Sequence, residues 1–339
     1  MIPRMDNSRH MPAWQTALRQ AVSSVEELLR LVRVDVAGLN ICPIAAEFPL
    51  RVPHSFIRRM ETGNLHDPLL RQILPLHEEA HEKTGFERDP LRERDVMITP
   101  GLLHKYHGRA LLTLTGACAV HCRYCFRRHF PYGEANPIAS YWDRALAYLE
   151  RHEEISEVIL SGGDPLTLPD SRLGELALRL AAIPHVRTLR IHTRLPIVLP
   201  ERVDEHLLAW LGNHSQRTVI VVHCNHPNEI DATVYEAMKK LKQAGVTLLN
   251  QTVLLGGIND DSATIIRLSE ALFDAGIMPY YLHQLDRVQG SAHFEVDDRA
   301  ACELMDSVHA ALPGYLVPRL VRETPGAPGK QLLWPTRNA

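Results

Sequence analysis

Cys118, Cys122 and Cys125 stand at x3 and x2 spacing in the run CAVHCRYCFRR. A strand-like stretch, Ala110-Leu-Leu-Thr-Leu-Thr115, precedes them and Gly116 breaks it, so the thiols fall on a loop at the C-terminal end of a strand. Such spacing lets one loop wrap three thiolates around a single inorganic centre. An iron–sulfur cube ordinarily takes four cysteines, so three leave one iron with an open position, as catalytic metal sites do. The competing chemistries are a structural zinc site with His121 or His129 as fourth ligand, or reduced thiols in a core.

Other chemistry-bearing stretches recur downstream. In Ser161-Gly-Gly-Asp-Pro165, Gly162 and Gly163 carry no Cβ and let backbone approach a ligand, while Asp164 can accept hydrogen bonds; a plain turn is the alternative. His223-Cys-Asn-His226-Pro-Asn-Glu229 reads either as a metal-binding loop or as a polar cap, and Gln251 lies in a strand-like NQTVLL. Arg194 either lines the same mouth or reaches solvent. The run Glu323-Thr-Pro-Gly-Ala-Pro-Gly-Lys330 holds one lysine on a Gly/Pro-rich turn. A lysine that anchors pyridoxal phosphate (PLP) must lose its proton against a reference pKa of about 10.4. A lone tail lysine is ordinarily solvated, so the turn alone does not assign that role.

The elements that would position these residues are regular from Ala110 onward. Strand-like runs begin near Glu157, Thr188, Thr218, Val246 and Ile277, with starts 31, 30, 28 and 31 residues apart. Amphipathic segments alternate with them at 140–152, 169–183, 200–213, 231–244, 261–275 and 297–312, with Asp231 and Asp261 at caps and Gly245 and Gly276 at helix ends. Strand and helix alternating at this period predict an α/β fold, a partial (β/α)6 barrel, whose strand C-termini carry the chemistry. An eight-unit barrel would need two more strands before Ala110, and none is legible there. Residues 1–105 read as a helical N-terminal extension, with Ser23 or Ser24 as an N-cap and a polar loop over 82–105. Residues 106–314 form the barrel and 315–339 a C-terminal tail that opens on a strand-like Tyr315–Val321.

Composition narrows the classes. Of 339 residues 45% are hydrophobic, enough for a large core, and the net charge of −3 gives no electrostatic footprint for nucleic acid. The N-terminus lacks an apolar signal region and no apolar run approaches the ~18 residues of a membrane span, so the expectation is a cytoplasmic protein. Six cysteines, three of them clustered, do not form a disulfide framework, and Cys42, Cys224 and Cys302 read as buried apolar residues.

The cysteine spacing resembles the radical S-adenosylmethionine (SAM) signature, in which the open iron chelates the amino and carboxylate groups of SAM. Together, CAVHCRYCFRR, LSGGDP, TRLPIVLPERV, HCNHPNEI, NQTVLL, PYYLHQLD and the tail turn resemble the lysine 2,3-aminomutase family, from about Trp14 to Lys330. The resemblance implies a [4Fe–4S] cluster on Cys118, Cys122 and Cys125, with SAM contacted by Gly162, Gly163, Asp164, His223 and Gln251. It implies PLP on Lys330, Arg127 on the substrate carboxylate, and Asp286 and Glu323 around the substrate ε-ammonium. Glu323 stands where aspartate is usual, and His283 and Gly256 where tyrosine and arginine are frequent.

The implied reaction moves the 2-amino group of L-lysine to C3, giving β-lysine, with electrons from a flavodoxin- or ferredoxin-type donor. Longer family members carry a C-terminal extension with a zinc site. This chain ends nine residues after Lys330 and has no cysteine beyond Cys302, which is similar to the short subgroup linked to elongation factor P through a separate lysine ligase. A homo-oligomer is left open. The alternatives are a sister aminomutase acting on arginine or glutamate, glutamate being disfavoured by the two acids, and a non-catalytic zinc-stabilised binding protein.

Overall fold

The computed structural model describes residues 11–35, 48–135 and 139–334. Ten strands form one sheet in sequence order: β1 (Met97–Thr99), β2 (Leu102–Tyr106), β3 (Arg109–Thr113), β4 (Glu157–Ser161), β5 (Thr188–Thr193), β6 (Arg217–Val222), β7 (Thr247–Val253), β8 (Met278–His283), β9 (Arg319–Arg322) and β10 (Gln331–Leu332). Neighbours from β3 to β9 pair in parallel, whereas β1–β2, β2–β3 and β9–β10 are antiparallel. Sequential order with a helical crossover between parallel neighbours stacks the helices on one face and curls the sheet, which leaves an open barrel.

The helices follow from their sequences. Asp231 accepts from the N–H groups of Thr233 and Val234 ahead of Ala232–Gln243, Asp261 caps Ser262–Asp274, and Ser24 caps Val25–Val32. Gly245 at φ 81° and Gly276 at φ 78° follow the ends of two of them, a conformation a side chain would strain. Inner faces recur at helical spacing, as in Leu173, Leu176, Ala177 and Leu180 of Asp170–Ala181. Each fully buried leucine contributes roughly 1.5–3 kcal/mol. Along β5 the pleat separates Leu189 and Ile191, fully buried, from Arg190 and His192, which face the interior of the barrel.

The six expected strand–helix units are present, with four differences. Two short strands, β1 and β2, occupy part of the segment read as a polar loop; they are antiparallel and add no β/α unit. The β2 strand runs across the 105/106 boundary. The tail contributes β9, a further parallel strand, because Leu320 and Val321 are buried against β8. The segment read as one helix from Pro200 is a single turn, Pro200–Arg202, followed by Glu205–Leu211, since Asp204 accepts from Leu207 N–H and restarts the helix. Cys224 and Cys302 are buried as expected, and Cys42 lies outside the described residues.

The N-terminal extension is fastened to the strand ends. Arg59 donates to the carbonyls of Ile197 and Glu229 on the loops after β5 and β6, and Trp14 lies beneath the Arg202 guanidinium at 4.4 Å. Gln72, Glu79 and Glu93 thereby reach the loops that carry the chemistry.

Candidate active site

One cavity at the strand C-termini is lined by Cys118, Cys122, Cys125, Arg127, Gly162, Gly163, Asp164, His223, Gln251, Asp286, Glu323 and Lys330. Every residue singled out for a site role therefore meets in one place. The sequence separation between Cys118 and Lys330 is closed by the curvature of the sheet and by the pairing of β9 with β8.

The cysteine loop is held by acids from the N-terminal extension. The Glu79 carboxylate accepts Nε and Nη2 of Arg123 at 2.7 and 2.5 Å and Nη2 of Arg128 at 2.7 Å, all in the interior. Glu93 takes Nε and Nη2 of Arg127 at 2.7 and 2.6 Å, while Nη1 of Arg127 donates to Ser161 Oγ at 2.8 Å and to the Gly162 carbonyl. These paired charges fix a loop otherwise rich in small residues. They also bear on the role expected of Arg127. The bidentate edge of Arg127 is occupied by Glu93, so a substrate carboxylate meets at most the remaining Nη2 N–H unless Glu93 yields.

The Ser161–Pro165 turn is likewise engaged by protein groups. A Cβ on Gly162 would lie 2.5 Å from the Thr115 carbonyl oxygen, and one on Gly163 2.4 Å from that of Ala117. The glycines are required because the turn packs on the cysteine loop, with Gly163 N–H to Thr115 O at 2.6 Å and Asp164 N–H to Ala117 O at 2.8 Å. The Asp164 carboxylate accepts from Thr193 Oγ1 and from the backbone N–H groups of Leu166, Arg194 and Leu195. Both of its oxygens bind protein groups, so it splints the loops after β4 and β5.

At the far end of the cavity Glu323 bridges two cations, Lys330 Nζ at 2.6 Å and Lys105 Nζ at 2.7 Å. Burial raises the Glu323 carboxyl, but the two ammonium groups outweigh it and hold the group well below the usual range. The Asp286 carboxylate has no hydrogen-bond or ion-pair partner among the described residues, although its backbone carbonyl accepts the Val288 N–H. Burial, with the Glu323 charge adding to it, pushes its carboxyl up to about 7.

Three imidazoles line the cavity with Nε2 unpartnered, those of His192, His223 and His283. Burial keeps His223 down to about 4 and the other two well below their ordinary value, so all three are neutral. Gly256 instead packs on Phe294, whose carbonyl accepts its N–H at 2.8 Å. The histidines proposed for zinc are engaged elsewhere: His121 Nδ1 with the Pro49 carbonyl at 2.7 Å, and His129 Nε2 with that of Gln289 at 3.3 Å. His226 accepts from Asn228 N–H, leaving His223 as the histidine of its loop that lines the cavity.

Several lining residues had a sequence signal that periodicity alone does not decode. Arg190 and His192 are the polar members of an alternating strand, and here the polar face is the inner one. Lys105 lies near the C-terminal end of β2, in the segment read as loop, and Arg109 opens β3 just beyond it. Glu79 and Glu93 had no signal, because their partners are remote in sequence.

The donor set fits the three groups implied above. Three thiols on one strand-end loop suit a cluster. Unpaired neutral imidazole nitrogens and Gln251 suit a polar, largely uncharged ligand such as adenosine. Lys330, with Arg109, Arg190 and the unpartnered Tyr106 hydroxyl lining the same cavity, suits a phosphorylated aldehyde.

Residues 112–268 match the Radical SAM superfamily, so fold and site together define a radical SAM enzyme. The chain is 51% identical to the L-lysine 2,3-aminomutase of Escherichia coli (strain K12), over 94% of this chain and 93% of that protein. It is 45% identical to the L-lysine 2,3-aminomutase of Haemophilus influenzae over 98% of both chains, and 32% identical to that of Clostridium subterminale over 95% and 78%. Among solved structures, a radical SAM methyltransferase from Sphaerobacter thermophilus overlaps 65% of this chain and 68% of its own, with TM-score 0.43 and 15% identity. The chain belongs to the L-lysine 2,3-aminomutase family, radical SAM isomerases, and its radical SAM cofactors are a [4Fe–4S] cluster and SAM. No helix among the described residues is long and apolar enough to cross a membrane.

Proposed function

We propose that this protein converts L-lysine to β-lysine. The observation that carries the reading is the unpartnered acid Asp286 in the same cavity as the cysteine loop and Lys330. When bound, the cluster and SAM supply a carbon radical that abstracts substrate hydrogen, and PLP carries the migrating nitrogen and delocalises the unpaired electron. Cys118, Cys122 and Cys125 hold the cluster. His223, Gln251 and the backbone at Gly162 and Gly163 receive SAM, while the Asp164 side chain keeps that backbone in place.

Lys330 anchors PLP, and its release from Glu323 leaves that carboxylate still held by Lys105. Arg109, Arg190 and Tyr106 receive the phosphate. Asp286 takes the ε-ammonium of lysine, since an approaching cation stabilises its ionised form. Glu323, already balanced by Lys105, shapes the pocket more than it binds the substrate. Arg127, oriented by Glu93, offers the carboxylate its remaining N–H. The Glu79 and Glu93 pairs keep the cysteine loop closed over the reacting atoms, which excludes water.

The test is anaerobic reconstitution with iron, sulfide, PLP, SAM and dithionite, followed by product analysis on lysine, arginine and glutamate. Conversion of lysine at least tenfold faster than either competitor is expected; equal or greater conversion of arginine overturns the assignment. The physiological reading is that β-lysine formed in the cytoplasm, with electrons from a flavodoxin- or ferredoxin-type donor, is attached to elongation factor P by a separate ligase. Deleting the gene should remove the β-lysyl mass from elongation factor P, and free β-lysine should restore it. An unchanged mass in a strain without a second aminomutase contradicts that role.

A further inference from the structure

Arg194 closes the β5 strand end and is 6% exposed, beneath the cysteine loop. Its Nη1 donates to Cys122 Sγ at 2.7 Å and to Tyr124 Oη at 2.7 Å, and its Nη2 to Gln72 Oε1 at 2.7 Å and Glu229 Oε2 at 2.9 Å. Glu229 is fully buried, and its other oxygen accepts Gln72 Nε2 and the Asn225 N–H, both at 3.0 Å. The guanidinium is thus clamped by groups from separate segments and aimed at one sulfur of the cysteine triplet. Its backbone N–H is fixed in turn by Asp164 Oδ2 at 2.7 Å. A neutral donor would have satisfied a structural thiol. A permanently charged one, held by a single buried carboxylate, acts on the charge of whatever the sulfur binds.

We propose that Arg194 is a positioning residue for the iron–sulfur cluster, which raises its reduction potential through a charge-assisted N–H···S bond to Cys122, and that Glu229 sets the strength of that effect. The inference rests on the assignment of Cys122 as a cluster ligand. On reduction the cluster takes one electron from dithionite or a low-potential ferredoxin-type donor, which is oxidised by one electron. The added negative charge spreads over the iron, sulfide and thiolate sulfurs. Hydrogen bonds and positive charge at a ligand sulfur stabilise that state over the oxidised one. Glu229 opposes this by partly neutralising the guanidinium. Substituting the two residues therefore moves the potential in opposite directions.

The experiment measures the midpoint potential of the reconstituted holoenzyme by dye-mediated titration with electron paramagnetic resonance, for the wild type, Arg194→Met, Arg194→Lys and Glu229→Gln, each with its iron and sulfide content. Arg194→Met is expected to lower the equilibrium constant for reduction about tenfold, a fall of about 59 mV for one electron. Arg194→Lys should restore part of it, and Glu229→Gln should raise the constant several-fold. Equal potentials in all cluster-loaded proteins, or shifts of the same sign for Arg194→Met and Glu229→Gln, overturn the proposal. If Arg194→Met does not fold or hold iron, Glu229→Gln decides: no rise in a fully loaded protein overturns it. A wild type that holds no iron, or a Cys122→Ala protein that keeps a complete cluster, refutes the ligand assignment instead.

Discussion

Replacing Asp286 with asparagine should stabilise the empty protein and cripple lysine turnover. The folded-state carboxyl titrates near 7, against roughly 3.9 in an unfolded chain, a difference of about 3 units. A carboxyl whose folded pKa lies above its unfolded one costs nothing below about pH 4, where both states are protonated. The cost grows as pH rises through the window from 4 to 7 and levels off above it. At about 1.36 kcal/mol per unit the ceiling is ~4 kcal/mol, which water entering from the cavity mouth reduces. Asp286→Asn removes this cost while keeping the shape. Thermal melts of the cofactor-free proteins should coincide near pH 4 and separate above pH 7 by up to about 5 °C in favour of the variant. With cofactors present, loss of the ammonium's partner should cost on the order of 3–5 kcal/mol, a fall in kcat/KM for lysine of about a hundredfold or more. In the wild type, KM for lysine should rise as pH falls below about 7, because the protonated acid no longer attracts the ammonium. A melting difference that is flat with pH, or lysine kinetics within twofold of wild type, would refute the reasoning.

The remaining expectations concern the cluster, the PLP lysine and the loop clamp. Replacing Cys118, Cys122 and Cys125 together with alanine should abolish iron binding and reductive cleavage of SAM; iron retained by the triple variant contradicts the cluster assignment. Borohydride treatment of the PLP-loaded protein should yield one covalent adduct, on Lys330 by peptide mass, absent from Lys330→Ala. An adduct on another lysine of the wild type sinks that assignment. Glu93→Ala strands the buried Arg127 guanidinium and should cost about 3–5 kcal/mol of stability. Glu93→Gln, which retains the shape, should cost less, and an unchanged melting temperature for Glu93→Ala contradicts the clamp.

The strand–helix repeat was legible because the outward strand residues, such as Leu189 and Ile191, and the inner faces of the helices obey simple periods. The cysteine loop was legible because its residues are close in sequence. The N-terminal strands were not: β1 spans only Met97–Thr99, and β2 carries His104 and Lys105 in a setting without apolar alternation. Partnerships between remote residues were equally hidden. Arg127 reads as a carboxylate ligand until Glu93 is seen across it, and Asp164 as a ligand contact until Thr193 and the Arg194 N–H are seen to occupy it. Arg194 looked undecided between mouth and solvent, because its partners Gln72, Tyr124 and Glu229 lie on three separate segments. Local pattern records which residues can do chemistry, and the tertiary pairing decides which of their valences remain free.

The fate of the substrate nitrogen tests the central claim most directly. Reconstituted protein is incubated anaerobically with L-[2-15N]lysine, SAM and dithionite, and the product is analysed by mass spectrometry and NMR. The account predicts β-lysine with the 15N label on C3, formed only when SAM and reductant are both present. No β-lysine from a fully cluster- and PLP-loaded protein, or β-lysine whose C3 nitrogen is unlabelled, would contradict it.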